Sequence, residues 1–154
     1  MKILFVCSAN ICRSALCEVI LKQKLREIGI DWVEVDSAGV YDYAGMPFDN
    51  IMASYAHKEG YELKGYAKYM SPALAESADL IICMEQFQIV ELQKLFVPYA
   101  KWGCIHRFCE ICFDEQSDLM DPTGYEDYRY SYVFDKILEG VRSLTLKILK
   151  QRNE

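Results

Sequence analysis

The segment Lys2 to Ser14, KILFVCSANICRS, constrains the fold more than any other stretch of this chain. Lys2 to Val6 is a short apolar run rich in β-favouring residues, too short for a buried helix, and so reads as a strand in the core of a parallel sheet. From Ser14 the period changes to that of a helix. Leu16, Cys17, Ile20, Leu21, Leu25 and Ile28 fall on one side, while Glu18, Lys22, Lys24 and Glu27 lie largely off it. The order is strand, loop, helix, with the loop running from Cys7 to Ser14.

That loop has the makings of an anion cradle. Successive backbone N–H groups in a tight turn can all point inward, and the following helix adds its own unpaired N–H groups and the positive end of its dipole. The same donors favour a thiolate at Cys7. Arg13, five residues further on, can bind two phosphate oxygens with its planar fork. Asn10 suits the sharpest point of the turn, because asparagine tolerates left-handed backbone angles. A bare Cys-x5-Arg spacing is a weak signal; the strand before it and the helix after it raise its weight.

These residues resemble the loop of the low-molecular-weight protein tyrosine phosphatases, Cys-x-Gly-Asn-Ile-Cys-Arg-Ser. The resemblance extends over nearly the whole chain: Glu18 on the first helix, Asp36-Ser37-Ala38-Gly39, Cys83-Met84-Glu85, and Asp121-Pro122-Thr123-Gly124, which is similar to the family's general-acid loop. It implies hydrolysis of protein phosphotyrosine through a phosphocysteine, with Cys7 as nucleophile, Arg13 binding phosphate and Asp121 as general acid and base. No cofactor or metal is implied. It also implies substrate contacts from Ser8, Ala9, Asn10, Ile11, Cys12 and Ser14, and support of the loop by Asn10, Ser14 and Ser37, with Ser14 donating a hydrogen bond to the Cys7 sulfur. Tyr43 falls where the family often has a slot-lining tryptophan, and Tyr125 is expected to lie nearest the site among Tyr125, Tyr128, Tyr130 and Tyr132. Members resembling protein-arginine phosphatases carry threonine at the position of Ile11, so Ile11 favours phosphotyrosine. Cys12 could protect Cys7 through a disulfide or could simply fill space.

The chain departs from the family pattern at several points. Ala9 replaces a glycine, Ala15 replaces a proline, Asp49-Asn50 lacks the usual Asp-Pro-Arg, and a supporting histidine is missing near Lys64-Gly65. These changes bear on scaffolding. Two other readings compete: an arsenate reductase with a similar loop, and a non-catalytic phosphotyrosine- or anion-binding module. The first needs a relay of two further cysteines, and none follows Cys83 until Cys104. The second has no use for Cys7 and Asp121 together.

The remaining sequence bounds the setting. With 154 residues, 52% of them apolar, residues 1–154 are expected to form a single domain. Seven scattered cysteines suggest a reduced, cytoplasmic protein, and no apolar run reaches the length of a signal-peptide core or a membrane span. A net charge of -6 disfavours nucleic acid as a partner, because binding its backbone needs a basic face.

Further elements follow in order. Gly29 is a helix stop, Asp31 to Asp36 alternates as a second strand, and Ser37-Ala38-Gly39 is expected to turn the chain toward the site. A loop spans Val40 to Phe48, and a helix from Asp49 to Glu59 should bury Ile51, Met52, Tyr55 and Ala56. His57 on that helix is excluded as a catalytic base. Ser71-Pro72 starts a short helix, and Ala78 to Met84 is a central strand. A helix over Gln86 to Leu95 should bury Phe87, Val90, Leu92 and Leu95. Cys104, His106, Cys109 and Cys112 offer zinc-compatible ligand types without the usual paired spacing, in a segment read as a strand running into a loop. The longest helix spans Tyr125 to Gln151, with Tyr130, Phe134, Ile137, Val141, Leu144 and Ile148 inward. Alternating strands and helices imply a three-layer α/β fold, a four-stranded parallel sheet with helices on both faces and ligands at the carboxyl ends of the strands. The resemblance implies strand order 2-1-3-4.

Overall fold

The computed structural model describes residues 1–96 and 102–152. Four strands, β1 (Lys2–Cys7), β2 (Glu34–Gly39), β3 (Leu80–Cys83) and β4 (Ile105–Arg107), form one parallel sheet in the order β2-β1-β3-β4. Among the described residues six α-helices surround it: α1 (Arg13–Glu27), α2 (Asn50–Lys58), α3 (Pro72–Ser77), α4 (Gln86–Phe96), α5 (Phe108–Phe113) and α6 (Asp127–Arg152).

Side-chain alternation along β1 divides the core. Ile3, Phe5 and Cys7 face a cluster built by α1, α2, α5 and α6, whereas Leu4 and Val6 face a second cluster with α3 and α4. Both faces of β1 are therefore buried, which accounts for its unbroken apolar sequence. The chain leaves β1 for α1 on one face and leaves β3 for α4 on the other. The crevice between these diverging connections is where open parallel sheets bind ligands.

The second strand lies three residues later than its alternating pattern suggests. Phe5, Val6 and Cys7 pair with Ser37, Ala38 and Gly39, so those three residues are the end of β2, as the family resemblance of Asp36-Ser37-Ala38-Gly39 implies, rather than a turn. Ala38 is fully buried while Trp32 is exposed, and pairing follows the burial. Helix α4 is rotated relative to the expected stripe: Phe87, Val90 and Leu95 are exposed, and Gln88, Ile89, Leu92 and Phe96 are buried. The cause is the Gln88 amide, whose oxygen accepts the Met84 and Glu85 N–H groups at 2.9 and 3.0 Å and draws that side of the helix inward. Ile28 and Ile51 are likewise exposed, and Tyr55 is only partly buried, its ring 5.9 Å from that of Phe134. The segment after β4 is the helix α5, not a loop. It buries Phe108, Cys109 and Cys112 against α6, where Gly140 gives the Phe108 ring room. In α6, Tyr130, Phe134, Ile137, Val141, Leu144 and Ile148 are all buried, as their spacing requires.

Candidate active site

The loop between β1 and α1 is shaped from its middle. Asn10 has φ +60°, the left-handed conformation at the sharpest point of the turn. Its side chain is buried and fully engaged: Oδ1 accepts the Lys68 N–H at 2.9 Å, and Nδ2 donates to Ser14 Oγ at 2.8 Å and Ser37 Oγ at 2.9 Å. The directions of the remaining bonds then follow from donor chemistry. A carboxylate only accepts, so the Ser37 hydroxyl donates to Glu18 Oε1 at 2.7 Å, and Lys22 pairs with the other oxygen of Glu18. Ser14 Oγ accepts from Asn10 and lies 2.9 Å from Cys7 Sγ; against a thiolate, which can only accept, the Ser14 hydroxyl is the donor. Hydrogen bonds donated outward from the Asn10 amide thus reach Glu18 through Ser37 on one side and the Cys7 sulfur through Ser14 on the other.

The loop is also held from outside. Gly39 sits so close that an added Cβ would lie 2.8 Å from the Ala9 carbonyl carbon and 2.9 Å from the Ser8 oxygen. Asp49 donates its N–H to Ile11 O, caps α2 by accepting from Met52 N, and accepts the Tyr130 hydroxyl at 2.9 Å. Burial, with the Asp49 charge nearby, pushes the Cys12 thiol well up from its ordinary range.

Above the loop lies a cavity of about 310 Å³ lined by Cys7, Ser8, Ala9, Ile11, Cys12, Arg13, Tyr41, Tyr43, Asp121 and Thr123. Arg13 is buried, and its guanidinium is already fixed: Nη1 donates to Leu119 O at 2.6 Å and lies 3.1 Å from Glu85 Oε1, while Nη2 is 3.9 Å from Asp121 Oδ2. Burial raises the Glu85 carboxyl above the usual carboxylate range, and the Arg13 charge opposes that shift. Asp121 accepts the Thr123 N–H through Oδ1 at 3.0 Å, which orients its carboxyl at the cavity wall.

Cys7, Arg13 and Asp121, far apart in sequence, thus border one hollow, together with Ser8, Ala9, Ile11, Cys12 and Tyr43. Asn10, Ser14 and Ser37 lie behind the loop in the hydrogen-bond chain. Tyr125 is not among the lining residues; it is exposed, with the Arg129 guanidinium 4.1 Å from its ring centre. Among the described residues no group of three or more His, Cys, Asp or Glu side chains is gathered to hold a metal. Of the Cys104 to Cys112 segment, His106 faces Glu110 at 3.5 Å and Cys109 and Cys112 are packed in the core. His57 is on the surface, bonded to Glu62.

Glu85, Gln88, Tyr41, Thr123 and Asp49 are parts of the site that sequence reasoning did not assign. Glu85 had a usable signal, a carboxylate directly after a central strand's carboxyl end. Gln88 had none, because a polar residue in an amphipathic helix reads as solvent-facing.

A parallel sheet of this order, carrying a Cys-x5-Arg loop at the carboxyl end of its inner strand, defines a class of phosphate-handling α/β proteins. Residues 2–154 match the family model described as low molecular weight phosphotyrosine protein phosphatase, and the chain belongs to that family. Among curated relatives, it is 31% identical over 140 residues, 90% of each chain, to the probable low molecular weight protein-tyrosine-phosphatase EpsP of Ralstonia nicotianae. It is 29% identical over 150 residues, 97% of this chain and 94% of the relative, to the low molecular weight protein-tyrosine-phosphatase PtpA of Staphylococcus aureus. Among solved structures, a YwlE arginine phosphatase mutant with a phosphorylated active-site serine superposes with TM-score 0.91 at 25% identity, covering 99% of both chains.

Proposed function

We propose that the protein hydrolyses phosphotyrosine in proteins by a cysteine-dependent, metal-independent route. The observation that carries this reading is the placing of Cys7, Arg13 and Asp121 around one cavity. The Cys7 thiolate attacks phosphorus in line, forming the S–P bond as the P–O bond to the phenol breaks. Arg13 and the loop N–H groups take up charge on the equatorial oxygens. Asp121 gives its proton to the departing phenolic oxygen and, as carboxylate, then takes a proton from the water that attacks the phosphocysteine. The S–P bond breaks, and the Ser14 hydroxyl stabilises the sulfur as it leaves.

Glu85 and the Leu119 carbonyl hold the guanidinium in place before any phosphate arrives, so less ordering is left to the binding step. Ile11, Tyr41 and Tyr43 give the slot walls suited to an aromatic ring. A second reading, phosphoarginine as substrate, is favoured by the likeness to YwlE. The test is turnover of p-nitrophenyl phosphate, a phosphotyrosyl peptide and a phosphoarginine-containing protein, by wild type and by Cys7→Ser, with and without chelator. Phosphotyrosine turnover that survives chelation and disappears in Cys7→Ser is expected. Turnover retained by Cys7→Ser would overturn the mechanism, and preference for the phosphoarginine protein would overturn the substrate.

A further inference from the structure

Gln88 is a fully buried polar side chain whose amide oxygen and amide nitrogen both have partners. Its oxygen takes two backbone N–H groups, from Met84 and Glu85, which fixes which end of the amide is which. Its nitrogen therefore donates, and the acceptor is Ser8 Oγ at 3.1 Å. Ser8 follows the nucleophile directly and lines the cavity. Among the described residues nothing accepts the Ser8 proton in return. The family's loop leaves this position open, so neither the hydroxyl nor its orientation is dictated by the shared motif.

We propose that the Ser8 hydroxyl is a donor for the substrate and that Gln88 is its positioning residue: the buried amide supplies the hydrogen that Ser8 Oγ accepts, and the Ser8 proton is thereby turned into the slot toward an acceptor oxygen of the substrate. The proposal rests on the phosphatase reading and deepens it. The acceptor oxygen belongs either to the phosphoryl group or to the peptide chain of the phosphoprotein. The same Gln88 side chain holds the N–H of Glu85, the residue that grips Arg13, so one buried amide sets both a substrate donor and the base of the phosphate-binding arginine.

The experiment measures kcat and KM for p-nitrophenyl phosphate and a phosphotyrosyl peptide, and Ki for inorganic phosphate, in Ser8→Ala, Ser8→Thr, Gln88→Met and the Ser8→Ala/Gln88→Met pair. Loss of one such hydrogen bond is expected to raise KM about three- to tenfold in Ser8→Ala, with a smaller change in kcat. Ser8→Thr, which keeps the hydroxyl, restores KM. A rise in KM for both substrates and in Ki assigns the bond to the phosphoryl group, and a rise for the peptide alone assigns it to the peptide chain. Gln88→Met also raises KM, by more with the Ser8 hydroxyl present than in the alanine background, where only its hold on Glu85 remains to be lost; a merely structural amide would shift both backgrounds alike. KM and Ki unaltered in Ser8→Ala would overturn the proposal, as would equal effects of Gln88→Met with and without the hydroxyl. If Gln88→Met fails to fold, the Ser8→Ala and Ser8→Thr comparison still decides. Turnover surviving in Cys7→Ser would instead sink the underlying cysteine-dependent mechanism, whatever Ser8 does.

Discussion

Under the proposed mechanism Asp121 works with one oxygen engaged and the other toward the cavity's arginine: Oδ1 takes the Thr123 N–H and Oδ2 lies 3.9 Å from Arg13 Nη2. Asp121→Asn keeps the first contact and removes the transferable proton. Its kcat on a phosphotyrosyl peptide should fall about 100-fold or more, and less on p-nitrophenyl phosphate, whose leaving group needs little protonation. Equal losses on both substrates would argue against the general-acid role. Gly39 acts by having no side chain. The atoms that a Cβ would strike are backbone of Ala9 and Ser8, so the loop rather than a rotamer must move. Gly39→Ala should therefore lower kcat/KM at least about tenfold, since sub-ångström displacement of catalytic groups is costly. A variant of full activity would show that the loop gives way freely.

At the level of elements, α5 and α6 meet where Gly140 faces the buried Phe108 ring, with an added Cβ 2.4 Å from Cζ and 3.2 Å from the Cys112 Cβ. Alanine ordinarily gains about 1 kcal/mol over glycine inside a helix. Overpacking costs about 1–3 kcal/mol and here should win, so Gly140→Ala should be less stable by a net of up to about 2 kcal/mol in urea denaturation. A gain in stability would mean that the ring repositions without cost. The same elements show what a one-dimensional pattern conveys. α6 was legible because its apolar spacing is long and meets one continuous core. α4 was misread because Phe87, Val90 and Leu95 mimic a buried stripe, while the face that turns inward is chosen by the Gln88 amide, through bonds to residues outside the helix. β2 was placed early for a related reason: its pairing with β1 follows burial of Ala38, which alternation in residues 31–36 could not convey. In the site, the loop motif names Cys7 and Arg13, and the end of a central strand points to Glu85, whereas Asp49 comes to it only through tertiary packing.

The molecule as a whole buries more thiols than its chemistry uses. Burial pushes Cys12, Cys17 and Cys83 up from the ordinary thiol range, and Cys112 up to about 12. The unfolded chain releases these protons near pH ~8.5, while the folded chain keeps them to higher pH. Their contribution is therefore complete below that pH and is lost as pH rises through the folded values, at about 1.4 kcal/mol per pH unit for each thiol. Urea denaturation at pH 7.5 and at higher pH should show this fall, and Cys112→Ala should make it shallower by one thiol's share; a flat profile would contradict the burial. β1 has a neighbouring strand on each side and a packed layer above and below. The loop proposed to bind the phosphoryl group begins where that interior strand ends. Loss of the sheet on heating is therefore expected to take the position of Cys7 with it.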